Sequence, residues 1–225
     1  MKRLFCLACA ALGFVLLPSP STAAEPLTPP ERAELLGRLQ ALHAQFPSFE
    51  AAFSEQRTSR LLKKPLVSDG TIAFQIPNKF RREVAGSNPS LTISNGHDLW
   101  IYYPNFQEAE QYTLGKRAIF DDALAALTAG LNFGRVEEFY QFDATPEDGG
   151  YRIVLTPKRS NLKKIVAQLT VLLDKELTVR RTDLVLPKGD QIVTTYTSVR
   201  RAELPASTFE FIPPTGANVT RPLGK

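Results

Sequence analysis

Ile72-Ala73-Phe74-Gln75-Ile76-Pro77-Asn78-Lys79-Phe80-Arg81-Arg82-Glu83-Val84 carries the pattern that decides the fold. Ile72, Phe74 and Ile76 alternate with Thr71, Ala73 and Gln75, so one face of an extended segment is fully apolar. Pro77-Asn78 turns the chain. Phe80, Arg82 and Val84 then share one face of a second strand. The stretch therefore reads as two antiparallel strands with an apolar side turned toward a core.

The same period continues in both directions. Upstream, Phe49, Ala51 and Phe53 alternate, and Leu61 to Pro65 form a basic loop. Downstream, Leu91-Thr92-Ile93 runs into Asn95-Gly96, a two-residue hairpin signal. His97 to Tyr103 and Ala109 to Leu114 return as strands. Further strands are expected at 136–142, 151–156, 165–173, 177–186, 192–199 and 209–212. Glu147-Asp148-Gly149-Gly150 and Pro187-Lys188-Gly189-Asp190 are turns between them. Two stretches break the pattern. Thr28-Pro29-Pro30-Glu31 opens a helix with Leu35, Leu36, Leu39, Leu42, His43 and Phe46 at helical spacing, stopped by Pro47. Asp121 to Leu131 is a second helix, capped by Asp121 or Asp122, with Leu124, Leu127 and Leu131 as its stripe. About 11 short strands and two amphipathic helices with no linker between them predict an α+β domain, a sandwich or barrel-like sheet whose inner face the helices cover.

The chain begins with a segment of another kind. Met1-Lys2-Arg3 is basic, Leu4 to Leu17 is uncharged and apolar, and small residues lead to Ala23-Ala24. That is the pattern of a secretory signal peptide over 1–24, and it is shorter than the roughly 20 apolar residues that span a bilayer. Cleavage near Ala24 would leave 25–225 as a single exported domain. Both cysteines, Cys6 and Cys9, lie in the removed part, so the mature chain is expected to hold no disulfide and no thiol nucleophile. Cys9 as a lipid-attachment site would leave only Leu4 to Ala8 as the apolar core of the signal. Removing Lys2 and Arg3 takes the formal net charge from +4 to +2. The remaining basic residues are scattered, which argues against nucleic acid.

Little in the chain points to catalysis. The two histidines, His43 on the helix stripe and His97 after the hairpin turn, lack partners at zinc or triad spacing. Ser160-Asn161-Leu162-Lys163 matches Ser-x-x-Lys but sits in what reads as a basic loop with Lys158, Arg159 and Lys164. That loop is either solvated or a contact for anionic headgroups or an acidic partner. No phosphate-cradling glycine loop is present. The expectation is a protein with no catalytic residues, no metal and no cofactor.

Several longer stretches resemble the periplasmic lipoprotein carriers, the LolA family. They are Gly70 to Phe80, the hairpin Leu91 to Pro104 with its Asn95-Gly96 and Leu99-Trp100-Ile101-Tyr102-Tyr103-Pro104, Leu155-Thr156-Pro157-Lys158, and Phe209 to Gly216. The order and spacing hold over most of the mature chain. The resemblance implies a half-open antiparallel β-barrel around an apolar cavity, with helices as a lid. It implies a monomeric, soluble periplasmic carrier without enzymatic activity. Its partners would be acylated lipoprotein cargo, an inner-membrane ATP-driven extractor and a lipidated outer-membrane acceptor. The missing lipobox favours the carrier over the acceptor. On this reading the acyl-chain cavity is lined by Ile72, Phe74, Ile76, Phe80, Val84, Ile93, Trp100 and Tyr102, with sheet packing as the other reading of the two aromatics. The lid carries Leu35, Leu39, Leu42, Leu124 and Leu127. The sequence departs from the family at Ile76, where the familiar carriers have an arginine that holds the empty form closed. Arg82 is the candidate substitute latch. The departure leaves open a carrier or sensor of another envelope lipid, a glycolipid or a polyprenyl or pigment lipid.

Overall fold

The computed structural model describes residues 24–116, 122, 126, 128 and 131–222. The expected signal segment up to residue 23, and Leu124 and Leu127 of the expected lid, lie outside them. The first helix, α1 (Pro29–Gln45), starts where the proline pair and capping residues place it. The Glu31 carboxylate accepts from both the N–H and the hydroxyl of Thr28 at 2.7 Å. Those bonds hold the carboxyl below its ordinary pKa.

The sheet starts with β1 (Ser48–Thr58), β2 (Leu66–Gln75), β3 (Lys79–Val84), β4 (Ser90–Asn95), β5 (Asp98–Tyr103) and β6 (Glu108–Thr113). It continues with β7 (Tyr140–Glu147), β8 (Gly150–Pro157), β9 (Gln168–Leu173), β10 (Val179–Val185), β11 (Gln191–Arg201) and the short β12 (Asn218–Thr220). These form one 12-stranded sheet in the order β12-β6-β5-β4-β3-β2-β1-β11-β10-β9-β8-β7. Every pairing is antiparallel except that of β12 with β6. β7 and β12 are free edges, so the sheet curves without closing, as a half-open barrel. The long β1 lies at its middle, paired to β2 on one side and β11 on the other.

Register assigns the two faces, because paired residues point the same way. Ile72 pairs with Arg82, Arg82 with Thr92, and Thr92 with Ile101. Phe53 pairs with Tyr196, Thr194 with Thr182, and Val171 with Ile153. These residues form the concave face. One core covers its β7–β9 half, where Leu35, Leu36 and Leu39 of α1 meet Phe142, Ile153, Leu155, Leu169 and Val171. The Leu27 N–H bonds the Ala144 carbonyl at 2.8 Å, and Arg32 pairs with Asp143 at 2.8 Å, fixing the helix over this half. A second core covers the β1–β3 half: Ala51, Phe53, Ile72, Phe74, Phe80 and Tyr196, with Leu131 set on them.

Three local expectations change. Val136–Phe139 is a helical turn, α2, before β7 rather than part of a strand. Val136 and Tyr140 are buried at a spacing of four, which fits a helix and a strand equally, and Arg135 clamps Glu138 (2.6 Å) in helical register. Ser160–Lys163 is likewise a helical turn, α3, rather than loop; it buries Leu162, and Val166 is buried just after it. Ser160 and Lys163 themselves stay exposed. The strand expected at 209–212 is replaced by a 3-10 turn, Ala206–Phe209, followed by extended chain ending in Pro213-Pro214.

Candidate functional site

Gly70 is the starting point of the site. A Cβ there would meet the Glu83 carbonyl at 2.0 Å and the Phe53 ring at 2.6 Å. Glycine lets the Phe53 ring lie against the floor between β1 and β2. The Arg82 guanidinium then stacks over that ring, 4.5 Å from its centre, and reaches across β2 to Glu55 on β1. Arg82 Nη2 donates to Glu55 Oε2 at 2.6 Å, and the Thr194 hydroxyl donates to the same oxygen at 3.2 Å. Both charged side chains are about four-fifths buried, at 21% and 20% exposed. Beside them the Tyr196 and Thr182 hydroxyls stand 3.5 Å apart. Burial keeps the Tyr196 hydroxyl protonated well above the usual phenol range.

Above this floor is a cavity of about 420 Å³. Its walls are mainly apolar. Ile72 and Phe80 belong to the floor, Ile165, Val166 and Leu169 to one side, and Ala126 and Leu131 cover it. The volume falls in the range of pockets that enclose small ligands, roughly 300–1,000 Å³. The cover is held at three points among the described residues. Leu131 is 3% exposed within the second core. The Asn132 side-chain amide donates to the Pro77 carbonyl at 3.0 Å, directly after Ile76. Asp122, 2% exposed, meets Arg159 at 3.2 Å, and Arg159 stacks on Phe139 with 4.2 Å to the ring centre. Asn132, Asp122 and Arg159 carry no periodic signal, and sequence reasoning missed them as anchors.

The residues expected at the cavity separate into two groups. Ile72 and Phe80 line it, and Phe74, Ile76 and Val84 pack in the same core beside it. Ile93, Trp100 and Tyr102 do not belong to it. Ile93 pairs with Arg81 and with Trp100, and Leu91 with Tyr102, which puts all three on the convex face. Trp100 and Tyr102 pack on Phe211 at 5.6 and 5.5 Å between ring centres. Arg81 on that face donates to the Thr208 carbonyl (3.4 Å). The C-terminal segment covers the outer face here, so the apolar face of β4 points away from the cavity, and β5, apolar on both faces, does not reveal which side is the cavity. Leu99 and Ile101 take the concave side instead.

Arg82, the expected latch, bonds the floor among the described residues, at Glu55 and over the Phe53 ring. Of the expected lid residues, Leu35 and Leu39 are buried against β7–β9, outside the cavity's described lining, and Leu42 is half-buried. His43 on the same helix lies 5.9 Å from the Phe133 ring with Nδ1 unpartnered among the described residues. Burial first, and then the charge of Arg201, lower its pKa to about 4, so it is neutral at pH 7.

A second cavity of about 420 Å³ lies at the end of the barrel near the β2–β3 and β4–β5 turns. Its lining is more polar, with Asn78, Asn132, Tyr140 and Arg159. Asn78 bonds the Gly96 carbonyl at 3.1 Å, and Gly96 has φ +95°, the left-handed turn that the Asn95-Gly96 signal requires. No group of His, Cys, Asp or Glu that could hold a metal ion occurs among the described residues. No helix among them is long and apolar enough to cross a membrane.

The chain is similar to proteins of known kind over nearly this whole architecture. The family model described as outer membrane lipoprotein carrier protein LolA matches residues 44–212, from the end of α1 to the segment on the convex face. A protein of Dechloromonas aromatica (strain RCB) named outer-membrane lipoprotein carrier protein is 30% identical over 175 residues, covering 76% of this chain and 80% of the relative. One of the same name from Serratia proteamaculans (strain 568) is 27% identical over 221 residues, 97% of this chain and 98% of that one. A solved structure of an uncharacterized conserved protein from Thermus thermophilus shares the fold at 10% identity, with a TM-score of 0.51 over 84% of this chain and 98% of the other. The match over most of its length shows that the chain belongs to the outer membrane lipoprotein carrier family, LolA.

Proposed function

We propose that this protein is a soluble periplasmic carrier that takes the acyl chains of lipoproteins into the cavity between β1–β3 and β9–β11 and ferries them from the inner to the outer membrane. The observation that carries the reading is the mainly apolar cavity of about 420 Å³ under a segment held by Leu131, Asn132 and Asp122. Burying an acyl chain contributes about 0.8 kcal/mol per CH₂, so a 16-carbon chain gains on the order of 10 kcal/mol. That is enough to offset part of the cost of leaving a bilayer. The empty form is closed by the cover, and an incoming chain competes with Leu131 for the floor. No covalent step and no cofactor enters this mechanism. An inner-membrane extractor would supply the cargo and an outer-membrane acceptor would take it. Export by the segment up to Ala24 belongs to the same reading.

Displacement of bis-ANS by a synthetic acylated lipoprotein peptide tests it. Reversible displacement at micromolar peptide is expected, with the unacylated peptide inert. Failure of the acylated peptide to displace a bound dye would overturn the assignment of cargo. One observation favours a second reading, a carrier of another envelope lipid: position 76 is isoleucine where the familiar carriers have their latch arginine. Mass spectrometry of lipids bound to protein isolated from the periplasm separates the two.

A further inference from the structure

A cavity built only for hydrocarbon has no use for an ion pair on its floor. This cavity has one, and a stripe of hydroxyls continues it. Thr92 stands beside Arg82 on β4, and Glu55, Thr194 and Thr182 follow one another across β1, β11 and β10. All five residues line the cavity, as does Tyr196. Register alone brings them together from positions up to 139 residues apart.

The pairing within the stripe is incomplete. The guanidinium has five N–H groups in a fixed fork. Among the described residues its one hydrogen-bond partner is Glu55, reached through Nη2. Glu55 in turn accepts from Thr194. Water that occupies the unloaded cavity satisfies the remaining donors. A purely hydrocarbon occupant would expel that water and leave them unpaired, which opposes binding. An occupant that brings an oxygen acceptor to this point restores the bond. Because Glu55 already neutralises Arg82, the site favours a neutral acceptor over a carboxylate, which Glu55 would repel. The Phe53 ring under the guanidinium fixes the plane in which the free N–H groups point.

We propose that Arg82, held by Glu55, Thr194 and Phe53, is a recognition site for a carbonyl oxygen of the cargo, the ester or amide group at the head of an acyl chain. The site rests on the carrier reading and narrows it to oxygenated acyl lipids. It excludes polyprenyl chains, which offer the fork no acceptor.

The test is a matched pair of probes, 1-palmitoylglycerol and its ether analogue 1-O-hexadecylglycerol, which differ at the carbonyl. Affinities are measured by displacement of bis-ANS from the full mature protein and from Arg82→Leu. The wild type is expected to prefer the ester about tenfold. Arg82→Leu is expected to bind the two within about twofold, and the ether no more weakly than the wild type does. Equal affinities in the wild type overturn the proposal without any variant, so it stays testable if Arg82→Leu does not fold. A preference that survives in a folded Arg82→Leu overturns it as well. If neither lipid displaces the dye, the carrier reading fails and this site with it. If both displace it equally, the carrier reading stands and only the carbonyl site fails.

Discussion

Leu131→Ala separates a gate from a wall. Leu131 is 3% exposed and packs with Ile72, Phe74, Phe80 and Tyr196, yet it also borders the cavity. Truncating a buried leucine costs about 2–5 kcal/mol, and a residue that already faces a void belongs near the low end, about 2 kcal/mol. If an acyl chain takes the place of Leu131 on the floor, the loaded form does not feel this loss. The closed empty form alone is then destabilised, and affinity rises by the same free energy, about 30-fold for about 2 kcal/mol. The two assays are urea unfolding, followed by far-ultraviolet circular dichroism, and displacement of bis-ANS by the acylated peptide. Stability must fall while affinity rises. A variant that loses stability but binds the peptide with unchanged or weaker affinity refutes the reasoning, because Leu131 would then be a fixed part of the cavity wall.

Three other outcomes follow from named contacts. Gly70→Ala forces the Phe53 ring and the Glu83 carbonyl apart, so a loss of about 1–3 kcal/mol in urea unfolding is expected, and a loss below about 0.5 kcal/mol would contradict the close approach. His43 has its pKa lowered from 6.5 to about 4, so between these values the unfolded chain binds the extra proton and stability falls as pH falls. The loss is on the order of 3 kcal/mol from above pH 6.5 to about pH 4 and is absent in His43→Phe, as urea midpoints across that range will show. Trp100 is the one tryptophan and lies on the convex face against Phe211. Filling the cavity should leave its emission unshifted, Phe211→Ala should shift it to the red at a cost of about 1–2 kcal/mol, and a shift on acyl binding would return Trp100 to the cavity.

The sequence by itself determined most of the strands, the capped first helix, the turns and the family. Alternation of apolar residues and the turn chemistry of Pro77-Asn78 and Asn95-Gly96 are local properties, and the chain expresses them wherever it folds. It also placed Ile72, Phe74 and Phe80 on one face, since side chains two apart in a strand share a side. Which side is the cavity was legible only for β2 and β3. In β5 both faces are apolar, and in β4 the apolar residues Leu91 and Ile93 are the convex ones while Ser90, Thr92 and Ser94 face the cavity side, because Phe211 returns from the end of the chain to cover Trp100 and Tyr102. The local pattern of β4 and β5 holds no trace of that distant cover. The Glu55–Arg82 pair was hidden for the same reason. Each residue alone reads as a charge on a strand, and only the order β3-β2-β1-β11-β10, with glycine at position 70 leaving room for Phe53, brings the two charges and the threonine hydroxyls onto one floor. Periodicity sets which residues share a face, and the tertiary pairing of strands decides what that face meets.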